Sequence, residues 1–204
     1  MLSDKCAHCQ RRETIQHVLN GPCKPALDQK RFDHRHDSIL LHVNKQTRAN
    51  KEHSGKRIIA DLADFRLPDG GTVPPERFVT LKKPDIVMID DKNNTVELFE
   101  LTSCADSERL IAYSQSRKRD SYTDIRRELK ASLKVFEVCS LGNIPKHARE
   151  TIQYLVGKKV ARETFKALSK IAISCSYYLF NRRRDRDWNP PPLFERPIVD
   201  LDVK

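Results

Sequence analysis

Residues 82–102 read KKPDIVMIDDKNNTVELFELT, and this stretch decides the fold. An apolar run, Asp85 to Asp90, is followed by the turn Asp91-Lys92-Asn93-Asn94 and a second run, Thr95 to Thr102. Two such runs joined by a short Asn-rich turn predict a β-hairpin. Alternation of period two puts Val96, Leu98, Glu100 and Thr102 on one face of the second strand. An acidic residue at the end of an otherwise apolar face is costly unless it is solvated, paired or bound to a metal. Lys83-Pro84-Asp85 opens the first strand, so Asp85 and Glu100 are candidate metal-binding carboxylates on adjacent strands. Paired carboxylates suit a divalent cation, usually magnesium with retained waters. Such an ion polarises a phosphodiester and lowers the pKa of its bound water.

Outward from the hairpin, RIIADL (57–62) and RFVTL (77–81) are expected as strands, separated by a loop containing LPDGG and a Pro pair. Residues 106–134 are expected as a helix and KVFEVCSL (134–141) as a strand. Strand, helix and strand in that order predict a crossover unit closing a mixed sheet. In the helix, Ile111, Gln115, Lys118, Tyr122, Ile125 and Leu129 fall on one stripe of three- and four-residue steps. Lys118 thus lines up with residues that face the sheet. A lysine there positions or deprotonates an attacking water, or stabilises charge on a phosphate; a snorkelling lysine with a packed stem is the alternative. Helices follow at 145–156, with Pro145 at the first turn, and at 160–180. Another polar helical stretch, 25–53, buries Phe32, Ile39, Leu40 and Val43. The class is α/β, a mixed β-sheet flanked by helices with a small N-terminal zinc knuckle. The expected units are 1–24 for the knuckle, 25–55 for a helical connector, 56–180 for the main domain and 181–204 for a basic, Pro-rich tail.

Cys6-x2-Cys9 places two thiolates across a tight turn, and His17 and Cys23 complete four ligands. Zinc takes four N/S ligands in a tetrahedron, and so short a segment has no core of its own without such a staple. His8, His34 and His36 are competing ligands. Cys104, Cys139 and Cys175 fall in strand or helix patterns and are expected as small core residues.

The chain has 204 residues, with Lys+Arg 38 against Asp+Glu 28, a net charge of +10. This points to an anionic partner, DNA first and RNA as the alternative. No apolar run reaches the ~18 residues of a membrane span, and the first twelve residues lack a secretory apolar core. No membrane partner is therefore expected. Arg182, Arg183, Arg184 and Arg186 beside Trp188 form the densest basic cluster, with Lys82 and Lys83 at the mouth of the carboxylate pair. Such clusters bind phosphate with little regard to sequence, and Trp188 offers a stacking face. Arg31 and Arg35 lie near the cysteines. Arg35-His36-Asp37 is prominent, but the residues alone assign it no mechanism.

Five blocks, CAHCQRRETIQHVLNGPC, LDQKRFDHRHDSILLHV, KKPDIVMID, VELFELT and a helix with RKxxxY, together resemble one known arrangement. It is the C-terminal region of non-LTR (LINE) retrotransposons carrying a restriction-like endonuclease, where a CCHC zinc knuckle precedes a PD-(D/E)XK-type nuclease. The resemblance spans nearly the whole chain. It implies a metal-dependent DNA endonuclease that nicks one strand, with magnesium or manganese on Asp85 and Glu100. It also implies Lys118 as the lysine displaced onto the following helix, Tyr122 as a supporting group, and zinc on Cys6, Cys9, His17 and Cys23. The order Gly21-Pro22-Cys23 departs from the family's Gly-Cys-Pro, and Ser121 replaces the lysine before the tyrosine. Family members are fused to a reverse transcriptase, which a chain beginning only a few residues before the knuckle is expected to lack. A catalytically inactive, zinc-stabilised nucleic-acid-binding remnant is the alternative expectation. A chromosomal DNA substrate implies the nucleus.

Overall fold

The computed structural model describes residues 4–21 and 23–194, so the last ten residues of the expected tail lie outside it. Strands β1 (Arg57–Ala60), β2 (Ile86–Asp90), β3 (Thr95–Thr102) and β4 (Ser132–Glu137) form one four-stranded sheet in the order β1-β2-β3-β4. The β1/β2 and β2/β3 pairs are antiparallel and β3/β4 is parallel. The hairpin forms as its pattern predicts, with Ile86 opposite Phe99 and Asp90 opposite Thr95. Asn94 adopts φ +49 in the connecting turn, a conformation that Asn tolerates better than most residues.

Helices cover both faces. α3 (Asp33–Ala49), α6 (Lys146–Val156) and α7 (Lys158–Asn181) pack on one side, over Ile86, Met88, Phe99, Leu101 and Phe136. α4 (Glu108–Ser121) and α5 (Thr123–Leu129) cross over from β3 to β4, and Tyr122 and Ile125 join Val87, Ile89, Val96 and Leu98 on the other side. Both parities of β2 are therefore buried, as a central strand requires. Each such side chain contributes about 1.5–3 kcal/mol relative to exposure. Two short helices, α1 (Ile15–Asn20) and α2 (Lys24–Asp28), form the N-terminal head, and α1 rests on α7.

Three expectations change. Residues 77–81 form no strand: Pro74 starts a turn, with the Arg77 and Phe78 amides donating to its carbonyl, and the edge of β2 is already taken by β1. The 106–134 helix breaks at Tyr122 (φ −108°, ψ 15°), and Lys130 closes α5 in the left-handed region, so β4 starts two residues early. The 25–53 stretch divides into α2 and α3. Between α6 and α7, Gly157 has φ +89° and ψ 148°, and an added Cβ would lie 3.2 Å from the Asn50 Oδ1. That backbone region is nearly exclusive to glycine.

Candidate functional site

The hairpin register sets Asp85 beside Glu100 at the mouth of the sheet. The Asp85 amide donates to Glu100 Oε1 at 3.2 Å, and the Leu101 amide donates to Asp85 Oδ2 at 2.7 Å. Glu100 is fully buried and Asp85 nearly so. From α4, Lys118 Nζ reaches Glu100 Oε2 at 2.5 Å. Tyr122 sits at the α4/α5 break, where its hydroxyl donates to the Lys83 carbonyl at 3.2 Å. The structure therefore brings Asp85, Glu100, Lys118 and Tyr122 together from four places in the sequence.

A fifth group completes the cluster. His36, on the first turn of α3, places Nε2 3.3 Å from Asp85 Oδ2 while its Nδ1 lies 3.0 Å from Asp37 Oδ1. Burial works against the charged imidazole, but Asp85 and Asp37 outweigh it and lift its pKa to about 10. Burial likewise acts to raise the Asp85 pKa; His36, Lys118 and the Leu101 amide overcome it and hold the carboxyl below its ordinary value. Glu100 goes the other way, to about 8, because burial and the neighbouring Asp85 charge exceed the help from Lys118. Lys118 is raised despite burial, because the two carboxylates favour its charge. Burial and the charge of Glu100 raise Tyr122 as well, which keeps its phenol protonated. With Asp85 lowered and Glu100 raised, the pair retains a proton on Glu100 at neutral pH, because two adjacent buried carboxylates resist carrying charge together.

The same sheet face continues to a second buried acid. Glu137, opposite Thr102 in the β3/β4 register, accepts from His147 Nε2 at 2.5 Å, and Gln115 of α4 lies 2.7 Å from the same nitrogen. Glu137 Oε1 and Thr102 Oγ1 have no partner among the described residues. Gln115 and Lys118 lie one turn apart on α4, which puts this group next to the carboxylate pair.

In the head, Cys6, Cys9, His17 and Cys23 bring their ligand atoms within 4.8 Å of one another. The Cys6 and Cys23 sulfurs are 3.9 Å apart, and Cys9 Sγ is 3.3 Å from His17 Nε2. A tetrahedron with Zn–S near 2.3 Å and Zn–N near 2.05 Å has edges of about 3.8 and 3.5 Å, so the donor set fits. Local turns build it. The Gln10 amide closes on the Cys6 carbonyl with Gln10 at φ +61°, and Thr14 caps α1 by accepting from the His17 amide. The Gly21 amide turns back on the His17 carbonyl; a Cβ there would lie 2.4 Å from that oxygen, which only glycine avoids. The competing histidines are elsewhere. His8 Nε2 is 2.8 Å from the Arg183 carbonyl, His34 packs against Tyr178 and Phe194, and His36 is on Asp85.

The arginines near the head are structural. Arg35 is buried and donates to the Leu19 carbonyl, Asn20 Oδ1, Ser103 Oγ and Ser176 Oγ. Arg31, also buried, donates to the carbonyls of Arg182 and Asp185. In the basic cluster, Arg183 and Arg184 pair with Glu13, and Arg182 pairs with Asp185. Trp188 packs edge-on to Tyr178 at 5.6 Å with the Arg31 guanidinium 5.4 Å from its ring centroid. Lys82 pairs with Asp124, while Lys83 and Arg186 are exposed. Of the expected nucleic-acid contacts, Lys82, Lys83, Arg182 and Arg186 are exposed, the first paired with Asp124 and the third with Asp185. Trp188 is part of an aromatic cluster. Compared with known proteins, the chain matches no family model and no curated sequence.

The sequence assigns Glu137 and His147 no role, and it offers His36 only as a competing metal ligand, not as a partner of Asp85. The prominence of Arg35-His36-Asp37 marks the segment without saying what the triplet touches.

Proposed function

We propose that the chain is a magnesium-dependent DNA endonuclease of the restriction-like, PD-(D/E)XK type, nicking one strand. The observation that carries this reading is the Asp85–Glu100 pair, held side by side on adjacent strands with Lys118 at its edge. When bound, magnesium supplies a Lewis acid and lowers the pKa of its water. Asp85 and Glu100 hold it. Lys118, kept charged by the two carboxylates, stabilises the phosphate's developing charge rather than taking a proton. His36 orients Asp85, and Tyr122 fixes the loop that leads into β2. Water loses a proton as it adds to phosphorus, one P–O ester bond breaks, and the departing oxygen takes up a proton, so the products together gain one water. The head binds zinc through Cys6, Cys9, His17 and Cys23 and, with Arg186 and Lys83, holds DNA.

A supercoiled-plasmid assay with magnesium or manganese tests this. Wild type is expected to yield open circles, and Asp85→Asn and Lys118→Ala to lose them while retaining DNA binding. Intact plasmid with wild-type binding preserved would instead favour a non-catalytic, zinc-stabilised nucleic-acid-binding module. Two contacts support that second reading: Lys118 and the Asp85 amide already occupy both Glu100 oxygens.

A further inference from the structure

The loop entering β2 presents two aliphatic side chains to water. Val79 is 82% and Leu81 98% exposed, the most exposed large hydrophobic residues among those described. The tip that carries them is tied down on both sides. Phe78 packs with Leu67 and Val73 on the core beneath it, and Thr80 Oγ1 accepts from the Lys82 amide at 3.1 Å. Lys82 Nζ donates to the Ser121 carbonyl at 2.6 Å and to Asp124 Oδ1 at 2.7 Å, at the α4/α5 junction. The Tyr122 hydroxyl holds the Lys83 carbonyl, and Pro84 is buried. Two adjacent-parity aliphatics on so braced a tip gain nothing in the isolated chain, and exposed apolar groups rimmed by charge mark interaction sites.

The tip's position selects its occupant. Leu81 precedes Asp85 by four residues, a span of at most about 14 Å, and exposed Lys83 lies between them. A phosphate at the carboxylate pair therefore brings its flanking bases, stacked about 3.4 Å apart, within reach of Leu81. Aliphatic wedges that enter base steps, flanked by cations on the backbone, are how proteins kink a duplex. We propose that Val79 and Leu81 form a wedge that unstacks duplex DNA within about four base steps of the scissile phosphate. It follows that the enzyme favours DNA already unpaired there. The proposal rests on the nuclease reading above and adds the conformation of its substrate.

The test uses the full chain. The nick made on a linear duplex is mapped, and 2-aminopurine is placed within four nucleotides of it or twelve nucleotides away. Binding is expected to brighten the near probe and leave the far one unchanged. Leu81→Ala and Leu81→Asp should abolish the brightening and slow nicking of paired duplex tenfold or more, with less than twofold effect on a substrate holding an unpaired bubble at that position. Leu81→Met should keep both properties. Circular dichroism checks that these surface variants fold. Nicking by wild type without near-probe brightening overturns the wedge alone, as does an equal loss on duplex and bubble in Leu81→Ala. A dimer in sedimentation that Leu81→Asp converts to monomer assigns the tip to self-association and also overturns it. Absence of wild-type nicking removes the nuclease reading and the wedge together.

Discussion

Replacing Arg35 by Met should cost the fold more than any other single change on α3. The guanidinium is 1% exposed and donates to four neutral acceptors: the Leu19 carbonyl, Asn20 Oδ1, Ser103 Oγ and Ser176 Oγ. Methionine fills the space but satisfies none of them. An acceptor left unpaired in the interior costs about 1–3 kcal/mol, so four orphaned acceptors at the low end of that range give about 4 kcal/mol. Removing one side of a buried charged network typically costs about 3–5 kcal/mol, which agrees. With a urea m-value near 2 kcal/mol/M, the midpoint should fall by about 2 M. Urea titration followed by tryptophan fluorescence suits the purpose, because Trp188 packs next to Tyr178 near the α7 end. Arg35→Lys keeps the charge without the fork and should recover only part of the loss. A loss below about 1 kcal/mol for Arg35→Met would refute the reasoning, since it would mean that water or neighbouring groups replace the guanidinium at little cost.

Other expectations follow from the same contacts. Cobalt titrated into the metal-free chain should give thiolate-to-cobalt charge-transfer bands that weaken in Cys23→Ser, and chelation of the metal should expose the head to proteolysis near residues 10–25; unchanged spectra in the variant would exclude Cys23 as a ligand. Glu97 is held below its ordinary pKa of 4.5, burial opposing and Lys134 and the Tyr154 hydroxyl prevailing. A lowered folded pKa adds stability above the unfolded value that is lost as pH falls through the folded one. Melting temperature should therefore drop below about pH 4.5 in wild type, and this drop should be shallower in Glu97→Gln. Gly157→Ala should destabilise by about 1–3 kcal/mol, read by calorimetry, because its backbone lies where Cβ is strained and would press on Asn50.

How far the sequence carries depends on how local each feature is. The hairpin is written in adjacent residues: period two on either side of an Asn turn. Asp85 and Glu100 then meet because the register leaves no other choice, and Lys118 meets them because its helical stripe faces the sheet. RFVTL resembles a strand by composition, yet Pro74 bends the chain and β1 already fills the edge of β2, so Val79 and Leu81 point at water. The break at Tyr122 carries no Gly or Pro signal; it comes from tertiary contacts, the tyrosine reaching the Lys83 carbonyl. His36 reaches Asp85 across 49 residues, a contact created by the packing of α3 on the sheet. Arg35 is the same case, since only the docked head shows what its four bonds hold. Trp188 beside four arginines suggests a nucleic-acid surface; the fold draws two of them, Arg183 and Arg184, onto Glu13 and ties Arg182 to Asp185.

Arg35 and His36 are consecutive residues on one turn of α3. The first grips α1 of the cysteine head, and the second touches the carboxylate that opens β2. Head and carboxylate pair are therefore surveyed from a single rigid post. The contact with the head and the contact with the carboxylate start from Cα atoms only about 3.8 Å apart. Any displacement of α3 would therefore move its contact with the head and its contact with the carboxylate together, so the two regions shift as one body.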